Sequence, residues 1–138
     1  MIIKAVFFDA AGTLIKPVRR VGESYAVLAQ QYGVNVPAAN ISEAFRAQFS
    51  KAPPLAFPDV NLSAIDALER GWWKTLVRGV FEPAGPFERF DDYFDDLFTY
   101  FSRPESWALY PEVLATSREF VLVIRFGDWF GDSLKFRC

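Results

Sequence analysis

The chain has 138 residues, 51% hydrophobic and 17% aromatic, with 15 basic against 17 acidic residues and a net charge of −2. That length makes one ordinary domain able to bury a core without disulfide or metal staples, and the near-neutral charge argues against a nucleic-acid partner bound through a broad phosphate-neutralising surface. With no histidine and only Cys138, Ser–His and Cys–His nucleophile pairs, His metal sites and intrachain disulfides are excluded, and a reducing compartment fits.

Residues 1–8 are apolar apart from Lys4, but Asp9 interrupts them too early for a signal sequence. Nothing approaches the roughly 20 apolar residues of a spanning helix, so the expectation is a cytoplasmic protein with no membrane partner. Residues 3–8 are β-branched and aromatic on both faces, which predicts a buried parallel strand. It runs into Asp9-Ala10-Ala11-Gly12-Thr13, a turn of small residues.

Helices follow. In 22–32, Tyr25, Leu28, Ala29 and Tyr32 recur at helical spacing and Gly33 is a stop. Residues 42–49 form a second, with Ala44, Phe45 and Phe49 on one stripe, and the prolines of 51–60 make a loop. A third spans 63–81, with Ser63 and Asp66 spaced as a capping box. A fourth spans 87–101, with Phe90, Phe94, Leu97, Phe98 and Phe101 on one face, and a short one starts at Pro111 and runs to 118. Residues 20–103 should form an antiparallel bundle around Leu28, Phe45, Trp73, Leu76, Phe90, Phe94 and Phe98. Residues 120–124 read as a second buried strand.

A carboxylate at the C-terminal end of a buried parallel strand faces the crevice where α/β sheets bind ligands. The turn after it exposes amides that can hold a phosphate, and the carboxylate can serve as nucleophile and Mg²⁺ ligand. An ordinary Asx-type turn is the plainer alternative.

Phe7-Phe8-Asp9-Ala10-Ala11-Gly12-Thr13-Leu14 resembles the first motif of the haloacid dehalogenase (HAD)-like hydrolases, usually Asp-x-Asp-Gly-Thr-Leu. Val21-Gly22-Glu23-Ser24-Tyr25 through Tyr32-Gly33-Val34 is similar to a subgroup with a helical cap inserted after the first strand. Trp72-Trp73 and Trp107-Ala108-Leu109-Tyr110-Pro111 fall where that subgroup has such residues. The resemblance implies an α/β, Rossmann-like parallel core, incomplete here, built from 1–18 and 109–138 with 120–124 parallel to 3–8, and with 19–108 as the cap. It implies phosphoaspartyl chemistry on a small phosphorylated metabolite. Asp9 would be nucleophile and Mg²⁺ ligand, the Ala11 carbonyl a second ligand, and Ala10, Ala11, Gly12 and Thr13 would surround the phosphate.

The sequence departs from that pattern in three places. Ala11 stands where most family phosphatases carry the acid/base Asp, which should reduce phosphatase turnover severely. Phosphonatases of the superfamily also have Ala there and use a cap lysine, for which Lys51 and Lys74 are the candidates. Arg125 falls where a phosphate-binding Ser or Thr is usual. No Lys motif is evident, and Phe126-Gly127-Asp128-Trp129-Phe130-Gly131-Asp132 looks like the acidic metal motif, with Asp128 and Asp132 as possible ligands. From about Arg118 the resemblance lapses, as an altered or truncated C-terminus would produce. The alternative function is a non-catalytic module that binds a partner or itself, as a homodimer through exposed sheet edges. The acidic run Asp91, Asp92, Asp95 and Asp96 reads as a solvated helix face rather than a cation site.

Overall fold

The computed structural model describes residues 9–116, 122–124 and 134–136. The chain divides into two compact units, one of residues 1–18 and 101–138, the other of residues 19–100. The sequence reading set the second crossing at 108/109. Residues 101–108 instead belong with the terminal segments, because Trp107–Leu109 is a strand that pairs there.

In the terminal unit β1 (Ile15–Pro17) pairs antiparallel with β2 (Trp107–Leu109), Ile15 opposite Leu109. The Val18 amide continues the pairing by donating to the Ser106 carbonyl at 2.9 Å. Ile15 is fully buried among Ala10, Leu14, Trp107 and Leu109. The Trp107 indole N–H donates to the Phe101 carbonyl at 2.8 Å, which satisfies the polar edge of a half-buried ring. After β2, Pro111 opens a short helix, Pro111–Thr116. The last strands, β3 (Leu122–Ile124) and β4 (Leu134–Phe136), pair antiparallel with Leu122 opposite Phe136. Both sheets of the described residues are thus two-stranded and antiparallel, whereas the sequence reading expected a parallel core. The expected strand 3–8, and its pairing with 120–124, lie outside the described residues.

The other unit is helical. α1 (Val21–Gln31) ends at Gly33, whose φ is +79°. The Gly33 amide donates to Gln30 and the Val34 amide to Ala29, which closes the last turn as the sequence predicts. α2 (Ala38–Lys51) starts four residues earlier than expected. Pro37 precedes two helix-favouring alanines, and packing on α1 holds that first turn. α3 (Leu62–Phe81) is capped by Asn61, whose side chain accepts from the Ser63 amide at 3.2 Å, and not by the predicted Ser63–Asp66 box. Both residues suit a cap chemically, and Asn61 is the one left with extended backbone. α4 (Phe90–Ser102) starts three residues later than expected, after a turn in which the Phe90 amide donates to Phe87.

The core of this unit centres on Tyr93, 0% exposed, with Tyr25, Ala29, Ile41, Val77, Phe81, Phe94 and Leu97. Its ring meets Phe81 edge-on at 5.2 Å, and its hydroxyl donates to the Tyr25 carbonyl at 3.4 Å. Burial pushes both the Tyr93 and the Tyr25 phenol far up, so both stay neutral. Of the expected core, Leu76, Phe90 and Phe94 are buried, while Leu28, Phe45, Trp73 and Phe98 are half-buried. The acidic face of α4 is exposed and also paired across to α3: Arg70 with Asp95 at 2.7 Å, Lys74 and Arg78 with Asp91 at 3.2 and 2.9 Å. Arg70 also lies 4.5 Å over the Phe98 ring and Arg78 4.2 Å over Phe90. These cations therefore shield the aromatic stripe from water as well as meeting the acids.

Two outcomes follow from this packing. A Cβ at Gly22 would fall 2.1 Å from the Ser42 hydroxyl and 2.3 Å from the Ala38 carbonyl, where α1 meets α2. Gly22→Ala is expected to lose about 1–3 kcal/mol in urea denaturation, whereas Gly71→Ala on α3, with open space around it, should gain up to about 1 kcal/mol. Equal effects would contradict the α1–α2 contact. The Lys74 ammonium, hydrogen-bonded to Asp91, holds that carboxyl below its ordinary value. Its stabilising effect should be full above the ordinary Asp value of about 3.9 and be lost as pH falls through the lower folded value. Denaturation of the protein and Asp91→Asn between pH 7 and 2.5 checks this: the gap between them should close at the acid end.

Candidate active site

Asp9 opens a reversed turn. The Ala10 carbonyl accepts from three successive amides, Thr13 at 3.2 Å, Leu14 at 2.8 Å and Ile15 at 3.0 Å. Gly12 has φ +86°, a conformation that L side chains rarely adopt, so glycine is required there sterically. Its amide donates to the Ile15 carbonyl at 2.8 Å, which lays Ala11 alongside Ile15 as a parallel bridge. Ile15 is buried, so the turn is anchored from below while Asp9, Ala11, Gly12 and Thr13 face solvent. The Leu14 carbonyl accepts from the Tyr110 amide at 3.1 Å, which ties the turn to the residue just after β2.

The Thr13 hydroxyl donates to Asp9 Oδ2 at 2.5 Å. That bond orients the carboxylate above the turn, and Oδ1 has no partner among the described residues. The Ala10 and Ala11 amides and the Ala11 carbonyl likewise have none there. Of the residues expected to surround a phosphate, Ala10, Ala11, Gly12 and Thr13 are therefore together. The Gly12 amide is engaged with the Ile15 carbonyl, because closing the turn takes that donor. Arg125, Asp128 and Asp132 lie outside the described residues. Lys74 is ion-paired with Asp91 on the helical unit, and Lys51 ends α2. The β1–β2 pair, and with it the place of Lys16 and Tyr110 beside the turn, went unforeseen, since three-residue strands carry too little alternation to read.

Among the described residues no three His, Cys, Asp or Glu side chains cluster as a metal site, and no helix is long and apolar enough to cross a membrane. A cleft of about 370 Å³, lined by Arg78, Phe81, Glu82, Phe87 and Phe90, belongs to the helical unit and includes no residue of the Asp9 turn.

No family model matches the chain. Curated relatives do. Over 107 residues, 76% of this chain and 42% of the relative, it is 36% identical to the haloacid dehalogenase-like hydrolase domain-containing protein 3 of Mus musculus. The Danio rerio protein of the same name is 29% identical over 116 residues, 83% of this chain and 47% of its own length. The Homo sapiens protein is 29% identical over 119 residues, 85% and 47%. The chain belongs to the haloacid dehalogenase-like hydrolases. It spans about half the length of the curated relatives it matches.

Membership implies an α/β fold, of which the described residues hold the Asp9 turn, the β1–β2 pair and the helices between them. As a haloacid dehalogenase-like chain it offers an exposed carboxylate and a main-chain carbonyl on one turn. Both are hard oxygen donors, the kind Mg²⁺ takes. The turn itself is open to test. Gly12→Ala forces a Cβ onto a positive φ, at a cost of about 1–2 kcal/mol. The amides at positions 12, 14 and 15 should then exchange with deuterium faster, with exchange in α4 unchanged. Unaltered exchange in the turn would mean that its hydrogen bonds do not depend on Gly12.

Proposed function

We propose that this chain hydrolyses phosphate esters of small metabolites through Asp9, and does so slowly. The observation that supports the reading is the Asp9 carboxylate, exposed and oriented by Thr13 over a turn whose Ala10 and Ala11 amides have no hydrogen-bond partner among the described residues. In this reading Asp9 Oδ1 attacks phosphorus, the ester P–O bond breaks, and the alkoxide leaves with a proton taken from water. Water then cleaves the aspartyl phosphate, releasing phosphate and restoring Asp9. The Asp9 carboxylate and the Ala11 carbonyl would hold Mg²⁺, with Asp128 a further candidate. The ion, when bound, supplies positive charge against the phosphoryl oxygens. The helical residues would correspond to the cap of the family.

Ala11 sets the rate. A carboxylic acid at this position would protonate the leaving oxygen, and general acid catalysis contributes about 10²–10⁴-fold. Alanine leaves that proton to solvent, so the deficit should be largest for alkyl phosphates, whose leaving groups are poor, and small for aryl phosphates. Phosphate release from alkyl and aryl esters with Mg²⁺ provides the test. Release should be slow, abolished by chelation and by Asp9→Asn, and raised in Ala11→Asp by about 10²-fold or more for alkyl esters. Activity that survives Asp9→Asn would remove Asp9 as nucleophile. No release from either the natural chain or Ala11→Asp would favour the non-catalytic binding module.

A further inference from the structure

We propose that Lys16 is a phosphate-binding residue of the Asp9 turn, its ammonium held in place by Tyr110. The inference rests on the phosphate-site reading above and adds the cation that the site needs. An anionic phosphate beside the Asp9 carboxylate meets like charge, and preorganised positive groups must offset it. The turn supplies less than its sequence suggests, since the Gly12, Thr13, Leu14 and Ile15 amides all donate within it.

Lys16 is placed to make up the difference. The bridge sets Ile15 alongside Ala11. Neighbouring strands lie about 4.8 Å apart and consecutive Cα atoms 3.8 Å apart, so the Lys16 Cα is at most about 9 Å from that of Ala11. A four-carbon stem covers most of that distance. Strand alternation sends Ile15 into the core and turns Lys16 to the exposed side. There its ammonium lies 5.2 Å from the centroid of the Tyr110 ring. Tyr110 is no loose neighbour, since its own amide is bonded to Leu14 of the turn. The ammonium is thus tied to the turn through both its own strand and the ring beneath it. Among the described residues it pairs with no carboxylate, unlike Arg70, Lys74, Arg78 and Arg89 of the helical unit.

Titration of the full chain with inorganic phosphate, without metal and followed by the Ala10 and Ala11 amide resonances, tests this apart from turnover. Lys16→Gln should weaken phosphate about tenfold, as loss of one charged hydrogen bond predicts, and Lys16→Arg should restore most of it. Arg103→Gln, a second basic residue of the same unit, should change little. Asp9→Asn should tighten binding by removing the like charge. If Asp9→Asn tightens binding and Lys16→Gln leaves it unchanged, the phosphate site stands and the role of Lys16 falls. If phosphate moves neither amide in any variant, the phosphate-site reading itself falls, and this inference with it.

Discussion

Ile15 is the residue on which the site depends. Its side chain is completely buried, its amide and carbonyl both close the Asp9 turn, and its register against Leu109 starts the β1–β2 pair. One apolar side chain thereby links three things that sequence order alone would leave separate. The turn is held from below, so its exposed rim can carry a carboxylate without support from its own side chains beyond Thr13. The strand pair brings residue 15 beside residue 109, which lets the whole helical segment be inserted between them without disturbing the turn. And Tyr110 arrives next to Leu14, bonded to its carbonyl. A polar residue at position 15 would loosen all three together.

The helical unit solves a different problem. Its fourth helix carries aromatic residues on one side and four aspartates on the other, and burying only the aromatic side fixes how it must lie on α3. The surface acids then meet Arg70, Lys74 and Arg78. Exposed ion pairs of this kind contribute little singly. Here the same cations lie on the rings of Phe90, Phe94 and Phe98, so charge pairing and apolar cover come from the same side chains. This face is accounted for structurally, without recourse to a bound cation.

Chemistry and structure meet at Ala11. The main chain at this position is indifferent to which residue stands there, since the turn uses the Ala10 carbonyl and the Gly12 amide. The side chain is what a phosphoester reaction would call on. In the proposed reaction, a methyl in place of an acid at this point would withdraw a proton donor without touching the hydrogen bonds of the turn.

The sequence by itself determined the turn at Asp9–Thr13, the helical stop at Gly33, the helical character of residues 20–103 and the apolar stripe of α4. Each of these is local: a glycine at positive φ, a 3.6-residue period, a small-residue run after apolar residues. It also carried the family, through the Phe7–Leu14 motif. Tertiary structure decided the rest. Asn61 caps α3 because the backbone there is extended, although Ser63 is as good a cap chemically. α2 gains a first turn by packing on α1. β1 and β2 exist only because residues distant in sequence meet; three residues each carry no period of their own. For the same reason the Gly12 amide could be assigned to a ligand from the sequence and yet belongs to Ile15: whether a backbone donor faces outward depends on which carbonyl the folded chain brings to it.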